Sequence, residues 1–444
     1  MPKDVPDCPK RPNLSPAVES RSYHVELITP MFGGGVEPRV NDSAFPIRTT
    51  AIRGQLQFWW RATAGARCPT VEELRAAQTQ VWGSTERASR VQVSVESVRA
   101  EAPEPCARFR WDPNASRGRG RWHTDWQPPF NGRDSALPYA LFPFQGETPH
   151  SNPNAQITAP PAMCIRRASF QLVIRCPKDL WGQIEPAVWA WTNFGGLGGR
   201  TRRGCGTILC ADKDKQLAPR DHANISEQFK RFAPQPHEVR AWPTLPQSVH
   251  VCERSGPPVE VWNWVIGLFK HFRQGIDFAR DPGPGRSRYP ESEVVRTVLY
   301  NPARPWRHAR LDHVPNDAFP RAELGLPIVF HFQGQDEPPD TVLYPCNGAD
   351  GKPRERMASP LILKPLALAN GQAIPLILRL RCAQLEGVDL RRGDTSLPLP
   401  PTATIRDPQL ASYRDSPLAA SPIGSAIEAF LAFARTAGFT EVSV

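Results

Sequence analysis

The sequence predicts an α+β protein in which two halves repeat the element order β-α-β-β-α-β. Three observations carry that expectation. Short alternating or apolar runs bracket two long stretches of helical periodicity in the first half of the 444 residues. A looser version of the same succession recurs in the second half. Nowhere does the chain show the long run of alternating strands and helices that a doubly wound sheet or a barrel requires.

In the first half, "YHVELITP" (Tyr23–Pro30) alternates and reads as a strand ended by Pro30. The glycine-rich loop "MFGGGVEPRVNDSAFP" follows. "IRTTAIRGQLQFWWRATAGA" (Ile47–Ala66) reads as a helix, because Ile52, Leu56, Trp59 and Thr63 recur on one face. "RVQVSVESV" (Arg90–Val98) is a second strand. From about 100 to 160 the chain is rich in Pro, Arg, Trp and Gly and reads as an insertion, with an extended piece near "LPYALFPF" and one further strand within it. "ASFQLVIRC" (Ala168–Cys176) is a strand. "PKDLWGQIEPAVWAWTNF" is a helix with Leu180, Ile184, Val188 and Trp191 on one face. "CGTILC" (Cys205–Cys210) is a short buried strand. This is the ferredoxin-like, RRM-like arrangement.

A polar, Pro-rich passage around 211–245 marks the expected junction between two domains. We expect a flexible N-terminal arm over residues 1–20, a first domain over 21–240 with the insertion at about 100–160, and a second over 241–444. In the second half, "SVHVCERS", "LPIVFHFQG", "SPLILKPLALA" and "IPLILRLRC" read as strands. "PVEVWNWVIGLFKHFRQGIDF" and "SPIGSAIEAFLAFARTAGF" read as helices, and "PGPGRSRYPESEVVR" as a loop with a helical tail.

The net charge of +10 favours polyanionic partners, and the basic residues are mostly arginine, which suits bidentate phosphate recognition. Fifty prolines, about twice the usual share, are scattered through the loops. The ten cysteines contain no CxxC pair, so zinc-ribbon spacing is absent. They read as reduced core residues of a cytoplasmic protein. No signal core and no membrane-spanning apolar run is visible.

The densest motif is "NFGGLGGRTRRGCGTI" (Asn193–Ile208), with six glycines and three arginines. A P-loop needs Lys-Ser/Thr after its last glycine, whereas Cys205 and Gly206 follow Gly204 here. A dinucleotide fingerprint runs from strand to helix; this loop runs from helix to strand, with Thr201 in place of the third glycine. "RGCGTILC" opens like the RNA-binding RNP1 strand but lacks its aromatics. What remains is a clamp for a sugar–phosphate chain. Gly196, Gly198 and Gly199 would let backbone N–H groups approach closely, and Thr201, Arg200, Arg202 and Arg203 would supply contacts and charge. The plainer alternative is a helix C-cap whose arginines complement the helix dipole.

Two further candidates share this chemistry. Arg53, Gln57 and Arg61 recur at i, i+4 and i+8 on the first helix, with Arg48 at its start and Trp60 beside the stripe, placed to stack on a base. Arg286, Arg288 and Tyr289 lie in the rigid "PGPGRSRYPE" loop. Catalytic signals are sparse. His308 and His313 have the wrong spacing for a helical metal pair. Asp42 with a metal, or His24 as general acid/base, would serve an endoribonuclease that processes guide or target RNA. No metal or cofactor is expected.

The segments "ELITPMFGGG", "IRTTAIRGQLQFWWRA", "VWGSTERASRV" and "FGGLGGRTRRGCGTI" together resemble the RAMP superfamily of CRISPR effector proteins. Within it, the resemblance is strongest to the first-numbered RAMP subunit of the type III-B, Cmr, complex. "GRSRYPE", "LGLPIVFHF" and "SPLILKP" extend it over most of the chain. The resemblance implies two ferredoxin-like domains and a seat beside another RAMP subunit near the 3′ side of the guide RNA. It also implies contact with guide and target RNA in antiviral defence, with cleavage carried out by a different subunit. The long 100–160 insertion and the N-terminal arm depart from the pattern.

Overall fold

The computed structural model describes residues 18–443 apart from 36–38, 116–118, 150–151, 213–215, 236–237, 283–285, 304, 309–316, 333, 335, 347–353 and 413–414. Most of the expected N-terminal arm, His313 and Cys8 lie outside the described residues.

In chain order the first half contains β1 (Val18–Leu27), β2 (Met31–Phe32), α1 (Thr49–Ala62), α2 (Val71–Trp82), β3 (Gln92–Ala100), β4 (Glu104–Pro105), β5 (Ala107–Asp112), β6 (Arg121–Trp126) and α3 (Leu137–Leu141). It continues with β7 (Met163–Ile165), β8 (Ala168–Pro177), α4 (Trp181–Phe194), β9 (Ile208–Cys210) and α5 (His222–Phe232). The main sheet runs β3-β8-β1-β9, every neighbour antiparallel. Tyr23, Val25 and Leu27 face inward along β1 and meet Leu172 and Phe170 of β8 in register, while Ser22, His24 and Glu26 point to the other face. The helices α1 and α4 pack on each other over that inward face through Ile52, Leu56, Trp59, Ile184, Val188 and Trp191.

The insertion contributes no strand to this sheet, contrary to the extra strand expected there. Within it, β4 instead joins β7 and β2 in a small sheet, and β5 and β6 form a separate hairpin. "LPYALFPF" is not extended: it is α3 followed by a 3-10 turn over Phe142–Phe144. Two helices escape the sequence reading. The first, α2, starts where Thr70 Oγ1 accepts the Glu73 N–H (3.2 Å), but it buries only Leu74, Val81 and Trp82. The second, α5, lies inside the supposed junction. It is capped by Asp221 and held by Phe229 and Phe232 packing on Trp189.

The second half contains β10 (Ser248–Cys252), α6 (Pro258–Gln274), α7 (Glu291–Val298), β11 (Ile328–Phe330), β12 (Thr341–Pro345), β13 (Leu361–Ala367) and β14 (Ala373–Arg379). It closes with β15 (Val388–Arg392), β16 (Thr395–Leu397), α8 (Ala426–Thr436) and β17 (Phe439–Ser443). Its main sheet runs β13-β14-β10-β17. Counting only the strands of each main sheet, both halves lay their second, third, first and fourth strands side by side. A third sheet, β11-β12-β15-β16, closes over Val294, Phe319, Leu343 and Leu390.

The two halves share their cores. One hydrophobic cluster joins Trp59, Trp60 and Trp189 to Val249, Val251 and Leu376; another joins Phe32, Phe130 and Cys205 to Trp262, Phe269 and Leu361. The nine described cysteines are free thiols, and burial pushes the Cys205 thiol up to about 12. No described helix is long and apolar enough to cross a membrane.

Candidate nucleic-acid interface

The glycine loop is folded into the seam between the halves. Leu197 N–H donates to Gly206 O (2.9 Å), Gly199 N–H to Phe32 O (2.8 Å) and Gly206 N–H to Pro30 O (2.9 Å). Thr29 Oγ1 donates to Gly204 O (2.6 Å) and accepts the Thr207 N–H (2.8 Å). The N–H groups of Leu197, Gly199 and Gly206 are therefore committed inside the protein, so Gly199, one of the three glycines expected to offer an N–H to a ligand, does not do so. The glycines serve close packing. Gly204 (φ +84°) lets the Trp262 ring lie against the chain, and Gly206 (φ +62°) lets Leu197 cross it; a Cβ at either would collide. A Cβ on Gly196 would meet Gly206 O, and one on Gly198 would meet Phe32 O.

The arginines divide by depth. Arg203 lies over Phe269, its guanidinium 4.9 Å from the ring centre, and donates through Nη1 to Leu361 O (2.7 Å) and through Nη2 to Leu324 O (3.5 Å). Arg202 donates to Ser359 O. Both bonds reach carbonyls at or just before β13, an edge strand, so these side chains occupy acceptors that β13 would otherwise leave open. Desolvation pushes Arg203 down to about 9, helped by Arg200, Arg273 and Arg202; the group stays charged at neutral pH. Arg273 lies over the same Phe269 ring at 5.7 Å and donates to Tyr139 Oη (3.0 Å). Trp262 Nε1 locks the turn by donating to Arg203 O (2.6 Å). Four guanidinium groups thus converge on the seam. No ion pair to a carboxylate forms at Arg200, Arg202, Arg203 or Arg273 among the described residues.

Arg200 differs from the others. Its side chain reaches solvent beside the exposed Gly198 and the half-buried Gly199 and Thr201. Its backbone is left-handed (φ +55°). Desolvation by the surrounding protein pushes its pKa down, with Arg273 adding to that.

The α1 stripe is used internally. Arg53 donates to Val91 O (3.1 Å) and Trp82 O and lies over the Trp82 ring; Arg61 donates to Gln78 Oε1 (3.3 Å). Both partners belong to α2 or the turn into β3. Arg48 donates to Gly35 O (3.1 Å), and Gln57 is half-buried. Trp60 is 1% exposed and donates to Gln183 Oε1 (3.3 Å), so no base reaches its face. Arg286 is paired in bidentate fashion with Glu293 (3.3 and 3.0 Å), and Arg288 with Asp281 (2.8 Å). Tyr289 is buried and donates to Phe272 O (2.7 Å).

The uncovered face of the first sheet carries Ser22, His24, Glu26, Gln171, Ser94 and Glu96, a polar set that includes no Phe, Tyr or Trp. His24 Nε2 lies 3.2 Å from Glu26 Oε1. Asp42 is occupied in a turn, accepting the Ala44 and Phe45 N–H groups at 3.0 and 2.9 Å. Among the described residues no three His, Cys, Asp or Glu side chains group as metal ligands.

Residues 24–208, which span β1 through the glycine loop, match the family model of the RAMP superfamily. No curated protein matches the sequence. Among solved structures, Cmr1 from Pyrococcus furiosus in its apo form is similar over 83% of this chain and 90% of its own, at 16% identity and a TM-score of 0.42. A chain of the type III-B Cmr-beta complex bound to cognate target RNA is similar over 84% of this chain and 95% of its own, at 11% identity and a TM-score of 0.43. Likenesses at this level carry no argument about function. Within the matched region, then, the glycine loop ties β2, β9 and the second half together, and its tip at 198–201 faces out.

Proposed function

We propose that the chain is a non-catalytic, RNA-binding subunit of a type III-B CRISPR effector. It binds guide RNA near its 3′ side and helps capture target RNA alongside other RAMP subunits. In this reading both halves are ferredoxin-like RAMP domains, divided near residue 240 and preceded by an arm, and the setting is cytoplasmic. Support comes from the RAMP superfamily match, from the family-like segments in the second half, and from the strand order common to the two main sheets.

One observation carries the proposal: Arg200, Arg202, Arg203 and Arg273 gather at one seam and find only neutral acceptors or none. Like charges drawn together without carboxylates raise the local potential, and a polyanion is the ligand that relieves it. The inner three set the field, and Arg200 makes the contact. Such a site reads a backbone by charge and shape rather than by sequence.

The test is a salt titration of single-stranded RNA binding by the purified chain. Each phosphate contacted contributes about −0.7 to the log–log slope. Arg200→Ala should lower affinity for every RNA sequence and flatten the slope by about that amount. An unchanged slope and affinity would sink the proposal. Labelled RNA incubated with and without divalent metal should remain intact; cuts that vanish in His24→Ala or Asp42→Ala would establish a nuclease instead.

A further inference from the structure

The insertion at 100–160 carries an exposed aromatic ring on a turn that packs against the glycine loop. Phe142 is 66% exposed, the second most exposed of the large apolar side chains described. It opens the 3-10 turn that prolongs α3. Two contacts fix where that turn sits. Phe144, two residues on, stacks on Phe32 at 4.4 Å, and its ring edge lies 3.4 Å from where a Cβ of Gly199 would be. Tyr139, one helical turn before Phe142, accepts from Arg273 Nη1 (3.0 Å). The exposed Phe142 therefore sits on a turn that lies against the tip of the glycine loop, where Arg200 follows Gly199.

The anchoring is specific. Ala136 N–H donates to Asn263 Oδ1 of α6 (2.7 Å), and Tyr139 meets Phe269 edge-on at 6.3 Å. The insertion is thus fastened across both halves and holds an otherwise costly exposed ring in a fixed place. Arg200 adds a left-handed backbone and a side chain with no protein partner among the described residues.

We propose that Phe142 is a base-stacking platform for single-stranded RNA whose phosphates are held by Arg200. An exposed ring beside uncompensated guanidinium groups matches a nucleotide, one part flat and apolar and the other anionic. The site is independent of base identity, because every base has a π face. The inference rests on the RNA-binding reading above and adds the insertion to it.

The experiment uses the full chain and two oligoribonucleotides of equal length: one bearing bases, with 2-aminopurine in the middle, and one abasic. Phe142→Ala should weaken the base-bearing RNA roughly 5- to 100-fold, leave the abasic RNA unchanged, and abolish the quenching of 2-aminopurine. Phe142→Trp should retain binding, and Phe142→Leu should not. The salt slope should stay that of the unmodified chain, because no phosphate contact is lost. Because the side chain is exposed, a thermal melt should be unchanged. Phe142→Ala binding both RNAs normally, while Arg200→Ala weakens them, would overturn the stacking platform and leave the RNA reading standing; a hydrophobic contact to another protein would then be its use. Wild-type protein binding neither RNA would end both.

Discussion

At Arg200 the backbone enters the left-handed region and the side chain is directed to solvent, while its two arginine neighbours in the loop turn inward to carbonyls at β13. Adjacent residues of one type therefore do different work, and substitutions should separate them. Arg200→Ala should lower RNA affinity and leave stability in chemical denaturation unchanged. Arg203→Ala should destabilise the fold, because Leu361 O loses its donor and the Phe269 ring loses its cover; a loss of about 1–3 kcal/mol is expected in chemical denaturation. Trp60 makes the same point in reverse. Its place beside a basic stripe marks it as a stacking candidate, yet its indole is sealed under α4 by Gln183. Trp60→Ala should cost about 3–5 kcal/mol of stability, measured by the same method.

At the scale of elements, α1 was legible from the spacing of Ile52, Leu56 and Trp59, and its core face is the one that spacing indicates. Its basic face was not. Arg53 and Arg61 look solvated in sequence because the helix they brace against, α2, has too few buried residues to announce itself. Arg53→Ala should loosen the α1–α2 corner, lowering stability by about 1–3 kcal/mol, and leave the RNA salt slope unchanged. A shift in slope without a loss of stability would return Arg53 to the binding surface. The glycine loop shows the same limit. Six glycines announce close approach, but the partner in that approach, the protein's own Phe32 and Trp262, comes from elements far away in sequence. Gly206→Ala should not yield soluble folded protein, since its Cβ would strike Leu197 and its φ is positive.

For the whole molecule, the question is how firmly the halves are joined. Two hydrophobic clusters cross between them, and Lys364 on β13 is fully buried, donating its ammonium to Gly195 O at the end of α4 (2.6 Å). Halves that share cores should unfold in one transition by calorimetry; two resolved transitions would show independent domains. Burial holds Lys364 down at about 7, below its ordinary 10.5. A depressed folded-state pKa means the unfolded chain binds more protons between those values, so stability from this group rises with pH over roughly 7 to 10.5 and is lost as pH falls through about 7. Lys364→Met removes this titration. The stability of the wild type relative to Lys364→Met should therefore increase as pH is raised from 7 to 10, measured by urea denaturation at each pH.

The sequence by itself determined what local periodicity and composition can carry: the strands of both main sheets except β17, whose Phe439 reads as the end of the last helix run, the helices α1, α4, α6 and α8, the basic charge, the free-thiol chemistry, and the RAMP-like segments in the first half. These depend on residues close along the chain, where side-chain spacing maps directly onto a face. Only the tertiary structure decided which arginines are available. Arg53, Arg61, Arg202 and Arg203 bond to acceptors brought in from other elements, Arg286 and Arg288 to carboxylates, and Trp60 is sealed from solvent. The burial of Trp60 and the gathering of Arg202, Arg203 and Arg273 at one seam depend on contacts between residues more than a hundred positions apart, which no window along the chain contains. That is why the insertion, read as an unassigned departure, is found packed against the glycine loop through Phe144, with Phe142 left exposed on the same turn.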